Sequence, residues 1–127
     1  MAQQPTKPAQ PAAPKKVEAV KITWEQHLLK QGYIKSDATD IVTGREFWER
    51  LSRYATPRCH VNGFIRVRVY VERRKDSQPP IRFEMEVIGN NGRFWSTITS
   101  AIETEELLIK SSGEIEHRLA DAWREMS

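Results

Sequence analysis

The chain has a single cysteine, Cys59, so no internal disulfide can form, and that usage suits a reducing compartment. No apolar run approaches the roughly 18 residues that a bilayer-spanning helix needs. The opening stretch, "MAQQPTKPAQPAAPKK", has none of the apolar block that a secretory signal carries. A cytoplasmic protein without membrane contact is therefore expected. The catalytic signatures GxxxxGK[ST], GxGxxG, HExxH and GxSxG are all missing. Cys59 and His60 are adjacent and point to opposite faces of a strand, and no second Cys/His pair has zinc spacing. No metal, no other cofactor and no enzymatic activity are expected. His27 and His117 are expected on helix surfaces.

What is present fits one domain: 127 residues, 39% hydrophobic and 29% charged. Residues 1–16 are Pro, Ala, Gln and Lys with no large apolar side chain, which predicts a disordered tail. Residues 17–127 are then the folded unit. The net charge is only +3, but it is unevenly spread. Residues 57–82 carry seven cations and two anions, whereas residues 103–127 carry three cations and seven anions. Such asymmetry points to an electrostatic partner or to two ends that face each other.

Four kinds of local signal order the chain. "TWEQ" from Thr23 has the form of a capping box, and Gly32 sits where a C-terminal cap belongs; Trp24, Leu28 and Leu29 would share that helix's face. "VKI" just before it can add an edge strand. In "VTGREFWERLSRYATP", Thr43 can cap, Glu46 can reciprocate, and Val42 and Phe47 stand at staple positions. Phe47, Trp48, Leu51 and Ala55 recur at helical spacing up to Pro57, which predicts a second helix with Glu46–Arg50 and Glu49–Arg53 pairs on its wet side. "RCHVNGFIRV" reads as a tight hairpin on Asn-Gly.

Strict alternation follows. Val67, Val69 and Val71 oppose Arg66, Arg68 and Tyr70, while Ile81, Phe83, Met85 and Val87 oppose Arg82, Glu84 and Glu86. Phe94, Ser96 and Ile98 oppose Arg93, Trp95, Thr97 and Thr99. "ETEELLIKSSG" reads as a short helix or a fourth edge strand. Ser111 and Glu114 form a further capping box, and Ile115, Leu119, Ala122, Trp123 and Met126 make one helical face. The expected fold is thus a two-layer α+β domain in the order α-α-β-β-β-α. A three- or four-stranded antiparallel meander is packed on one face by helices, with Trp48, Trp123, Phe83 and Phe94 at its centre. Over residues 43–126 this order is similar to that of double-stranded-RNA-binding domains. Where those carry a lysine cluster, this chain reads "SSGEIEH".

Two classes of function are expected, the first of them from the outward sheet face. Arg66, Arg68, Tyr70, Arg93 and Trp95, with Arg73, Arg74 and Lys75 at the turn, set guanidiniums beside rings, as single-stranded DNA or RNA requires. Cross-strand pairing of Arg66 and Arg68 with Glu84 and Glu86 is the plain structural explanation of the same pattern. The alternative function is a protein-interaction module, such as an adaptor, chaperone or inhibitor. It would use Glu114, Glu116 and Asp121 on the last helix, or an exposed sheet edge. A third arrangement, His60 with Glu84 or Glu86 and Arg66, would supply the base, acid and phosphate clamp of a small ribonuclease. Oligomeric state does not follow from the sequence.

Overall fold

The computed structural model describes residues 21–53, 65–75, 77–90 and 95–126. Their order is α1 (Trp24–Lys30), β1 (Ile34–Thr39), β2 (Glu46–Leu51), β3 (Arg66–Arg73), β4 (Pro80–Asn90), β5 (Trp95–Ile102) and α2 (Glu105–Met126). The five strands form one antiparallel meander, β1-β2-β3-β4-β5. The two-layer α+β class and the antiparallel sheet hold. The element order is α-β-β-β-β-β-α, with two strands more than the three alternating runs account for. The predicted tail, the Asn-Gly hairpin, Ala55, His60, Arg93 and Phe94 lie outside the described residues.

The main correction is the second helix. Residues 46–51 are a strand. Phe47 and Trp48 are both buried, which a helical stripe also explains, but they are buried on opposite faces of the sheet. Trp48 lies opposite Val69 above the core, and Phe47 lies opposite Tyr70 on the outward face. Pairing with β3 supplies six residues of ladder and overrides an ambiguous local signal. Thr43 does not cap a helix. Its N–H and hydroxyl both donate to Asp40 Oδ2 at 2.8 Å, closing a tight turn completed by Gly44 at φ +73°. The likeness in element order to double-stranded-RNA-binding domains disappears with that helix.

The first helix matches its signals. Thr23 accepts from the Gln26 N–H and donates its own N–H to Gln26 Oε1. At the other end the Gly32 N–H reaches Leu29 O and the Tyr33 N–H reaches Leu28 O, with Gly32 at φ +93°. That is a Schellman closure, and buried Leu28 and Tyr33 are its apolar contact. Leu29 points to solvent instead of sharing the apolar face. Residues 21 and 22 are not in a strand. The ambiguous stretch at 103–110 is helical from Glu105: Thr104 Oγ1 accepts from the Leu107 N–H, and α2 then runs unbroken past Ser111, which caps nothing.

Both helices cover one side of the sheet. Val67, Val69, Val71, Phe83, Met85, Val87, Ile102, Trp24, Leu28, Leu108, Leu119 and Trp123 form the core. Trp24 meets Trp48 edge-on at 5.8 Å and Phe83 at 5.4 Å. Ile81 breaks the expected alternation. A register irregularity after Glu72 pairs Arg73 with Pro80, and Ile81 is left exposed. His27, expected on the surface, is buried where α1 meets α2, with Nε2 at 2.8 Å from Ser112 Oγ. Burial, with Lys30 nearby, holds its pKa below the ordinary imidazole value.

Polar groups tie helix to sheet at two more places. The Trp123 ring lies over Gly89 and donates from Nε1 to Ser96 O at 3.0 Å. Glu116, only 1% exposed, receives both guanidinium nitrogens of Arg50 at 2.7 and 3.0 Å, the Ser52 hydroxyl at 2.8 Å and the Arg53 N–H at 3.1 Å. Burial alone would raise its carboxyl. The Arg50 hydrogen bonds and charge, with Ser52 and Arg53, outweigh burial and hold it below the ordinary value of 4.5.

Two outcomes are expected. Gly89→Ala would set a Cβ 2.8 Å from Trp123 Cζ2, closer than real contacts allow, so a rigid ring must shift. Urea unfolding should show a loss of about 1–3 kcal/mol. Glu116→Gln strands the Arg50 charge and should cost about 3–5 kcal/mol at neutral pH. Because the folded pKa is depressed, the stabilisation is present above about 4.5 and is lost as pH falls through the folded value. Wild type and variant should therefore converge on acidification. A stability gap unchanged from neutral to acid pH would show that the ion pair contributes nothing.

Candidate functional site

The outward face of the sheet is built by the residues that alternate with the core. Phe47, Glu49 and Leu51 come from β2, and Arg66, Arg68, Tyr70 and Glu72 from β3. Arg82, Glu84, Glu86 and Ile88 come from β4, and Trp95, Thr97, Thr99 and Ala101 from β5. The sequence therefore placed Arg66, Arg68, Tyr70 and Trp95 on the correct side.

What these groups do there differs from the nucleic-acid expectation. Tyr70 is only 4% exposed, and its ring packs on Phe47 at 5.6 Å. Two guanidiniums close over this pair: Arg45 lies 4.5 Å from the Tyr70 centroid and Arg68 lies 4.6 Å from that of Phe47. The Tyr70 hydroxyl donates to Glu86 Oε1 at 2.7 Å. Burial pushes the phenol up to about 12, and the Glu86 hydrogen bond adds to it.

Glu49 gathers the arginine row, with Oε1 at 3.2 Å from Arg66 and Oε2 at 2.5 Å from Arg68. Arg45 pairs with Glu84 at 3.0 Å and Arg82 with Glu72 at 2.7 Å. Pairing across strands is thus the right explanation of the row, but the acid is Glu49 of β2, not Glu84 or Glu86. Reading β2 as a helix hid that acid. The same error gave Glu46 and Glu49 helical partners, whereas Glu46 pairs with Arg73 at 3.0 Å.

The remaining expected residues scatter. Arg73 turns to the helix-bearing side, 5.7 Å from the Trp24 ring. Arg74 and Lys75 stand exposed in the β3–β4 turn. Glu116 is inside, bound to Arg50, so it contributes nothing to an acidic surface. Glu114 is exposed, and Asp121 is bonded to Arg124 and 3.4 Å from His117 Nε2. Glu84 and Glu86, the proposed ribonuclease carboxylates, are held by Arg45 and Tyr70. Among the described residues no group of three or more His, Cys, Asp or Glu is placed to hold a metal ion, and no helix is long and apolar enough to cross a membrane.

The two outer strands contrast sharply. β1 pairs with β2 through an irregular register, carries Lys35 and Asp37, and engages its own Ala38 N–H with Ser36 Oγ at 3.1 Å. These are the devices that blunt an edge. β5 has neither the charges nor the irregular register, and its one described side-chain contact to the main chain is that of Trp123 Nε1 with Ser96 O. Its eight residues, "WSTITSAI", are uncharged, contain no proline and keep unbroken register with β4. Trp95 is 57% exposed, and Thr97, Thr99 and Ala101 are exposed beside it. Composition offered one signal for this: β5 is the single strand of the five without a charged residue.

Comparison with family models, with curated proteins and with solved structures gave no match.

The cap over Phe47 depends on a planar cation. Arg68→Lys retains the charge but loses the stacked fork and its bond to Glu49, so a loss of about 0.5–1 kcal/mol is expected in urea unfolding. A Lys variant as stable as wild type would mean that charge alone suffices there.

Proposed function

We propose that this chain is a non-enzymatic protein-interaction module that works by strand addition at β5. The observation that carries the reading is the uncharged, regular, proline-free edge of β5 in a sheet whose other outer strand is blunted. Main-chain groups of such an edge supply affinity, and side chains on the flanking face supply selectivity. Trp95 is the large exposed ring beside it, the residue type that anchors interfaces.

The competing partner is single-stranded nucleic acid. Exposed Arg74 and Lys75 favour it. Against it stand the burial of Tyr70, the bonds from Glu49 to Arg66 and Arg68, and Glu72, Glu84 and Glu86 on the same face. Carboxylates among the cations weaken any grip on phosphate.

Two titrations separate the readings. A peptide of alternating threonine and valine, as long as β5 and flanked by lysine for solubility, should perturb the backbone amides of β5 in NMR spectra and leave β1 unchanged. A single-stranded oligonucleotide should bind weakly at physiological salt. Amide shifts absent from β5 would refute strand addition. Tight oligonucleotide binding that falls steeply with salt and is abolished by Arg66→Glu with Arg68→Glu would establish the nucleic-acid reading instead.

A further inference from the structure

We infer that the strand added at β5 is β5 of a second copy of this chain, giving an antiparallel two-fold pair centred on Ile98. The inference rests on the strand-addition reading above and names its occupant. In an antiparallel pair opposite residues share a face, so only registers that match outward with outward residues are open. Centring on Ile98 or on Thr99 meets that condition over seven residues, and only Ile98 sets serine opposite serine and isoleucine opposite isoleucine on the helix-bearing side. Trp95 of one copy then lies opposite Ala101 of the other, Ser96 opposite Ser100, Thr97 opposite Thr99, and Ile98 opposite its own counterpart.

The chemistry of these pairs is mutually suited. A large ring faces a methyl group, and threonine faces threonine, a pair that stabilises adjacent strands. On the helix-bearing side, partly buried Ile98 already packs against the core, and its counterpart would extend that core across the axis. No charge lies on β5, so self-pairing sets no like charges opposite one another. The two-fold operation also makes one patch sufficient, the commonest arrangement of homo-oligomers.

The chain's own N-terminal stretch is a poorer occupant. Pro5, Pro8, Pro11 and Pro14 each lack the ladder donor. β1 is a poorer route to self-association, because Lys35, Asp37 and its irregular register oppose pairing.

Sedimentation equilibrium of the full chain over a range of concentrations tests this. Wild type should sediment at twice the chain mass. Thr97→Lys with Thr99→Lys sets lysine against lysine twice and should give the single-chain mass. Thr97→Lys with Thr99→Glu sets opposite charges at the same two places and should restore the double mass. Both positions are exposed, so the variants should fold, and their circular dichroism should match that of wild type. A wild-type monomer at every concentration overturns self-pairing, as does a dimer indifferent to the two lysines. A monomeric charge-swapped variant overturns the register centred on Ile98. If wild type is monomeric while the threonine–valine peptide still perturbs β5, strand addition stands and only the second copy is refuted. If neither is seen, both readings fall.

Discussion

The pairing of Arg50 with Glu116 fixes how the two layers meet. A carboxylate so deeply buried is tolerable only when a cation and further donors satisfy its oxygens, and Arg50, Ser52 and the Arg53 N–H do so. All three come from β2 or the residues that follow it, while Glu116 sits midway along α2. The helix therefore reaches across from β4 and β5, where most of its packing lies, to the far half of the sheet. Hydrophobic contacts alone are non-directional and would let α2 slide. The bidentate fork specifies its position. Arg50 also lies 4.3 Å over the Tyr33 ring, which joins the end of α1 to the same point.

Once both helices are committed to one side, the other side must satisfy itself. Phe47 and Tyr70 would be costly bare, and the Arg45 and Arg68 guanidiniums cover them while their charges go to Glu84 and Glu49. That arrangement uses the outward cations for packing. It also explains why the face, although rich in arginine, is close to neutral. Among the described residues the rim is then the surface left open, and its two outer strands differ in kind.

Much of this was legible in the chain. Period-two alternation identified β3, β4 and β5 with the correct faces, because one buried side leaves an unambiguous imprint. Thr23 and Gly32 marked α1, since capping chemistry is local. The stretch "EFWERL" misled because two adjacent apolar residues fit a helical stripe as well as a strand buried on both faces, and only the β3 ladder decides between them. Glu116 looks like a surface residue in the sequence because a buried carboxylate is recognisable only with its partner, and a helical "EFWERL" puts Arg50 on a helix flank. β1 left no signal: six mostly exposed residues with no apolar period. For the site, the arginine row was visible and its engagement with Glu49 was not. The openness of β5 depends on which strand lies at the sheet's edge, a property of topology that no local pattern encodes.

Strand addition requires β5 to be a usable edge, and amide hydrogen exchange followed as a function of protein concentration reports on that edge itself. Amides of Trp95–Ile102 directed away from β4 have no ladder partner among the described residues, so they should exchange fast in dilute solution and slow as concentration rises, with β1 amides unaffected. Exchange on β5 that is fast and independent of concentration, or protection that grows on β1 instead, would contradict it.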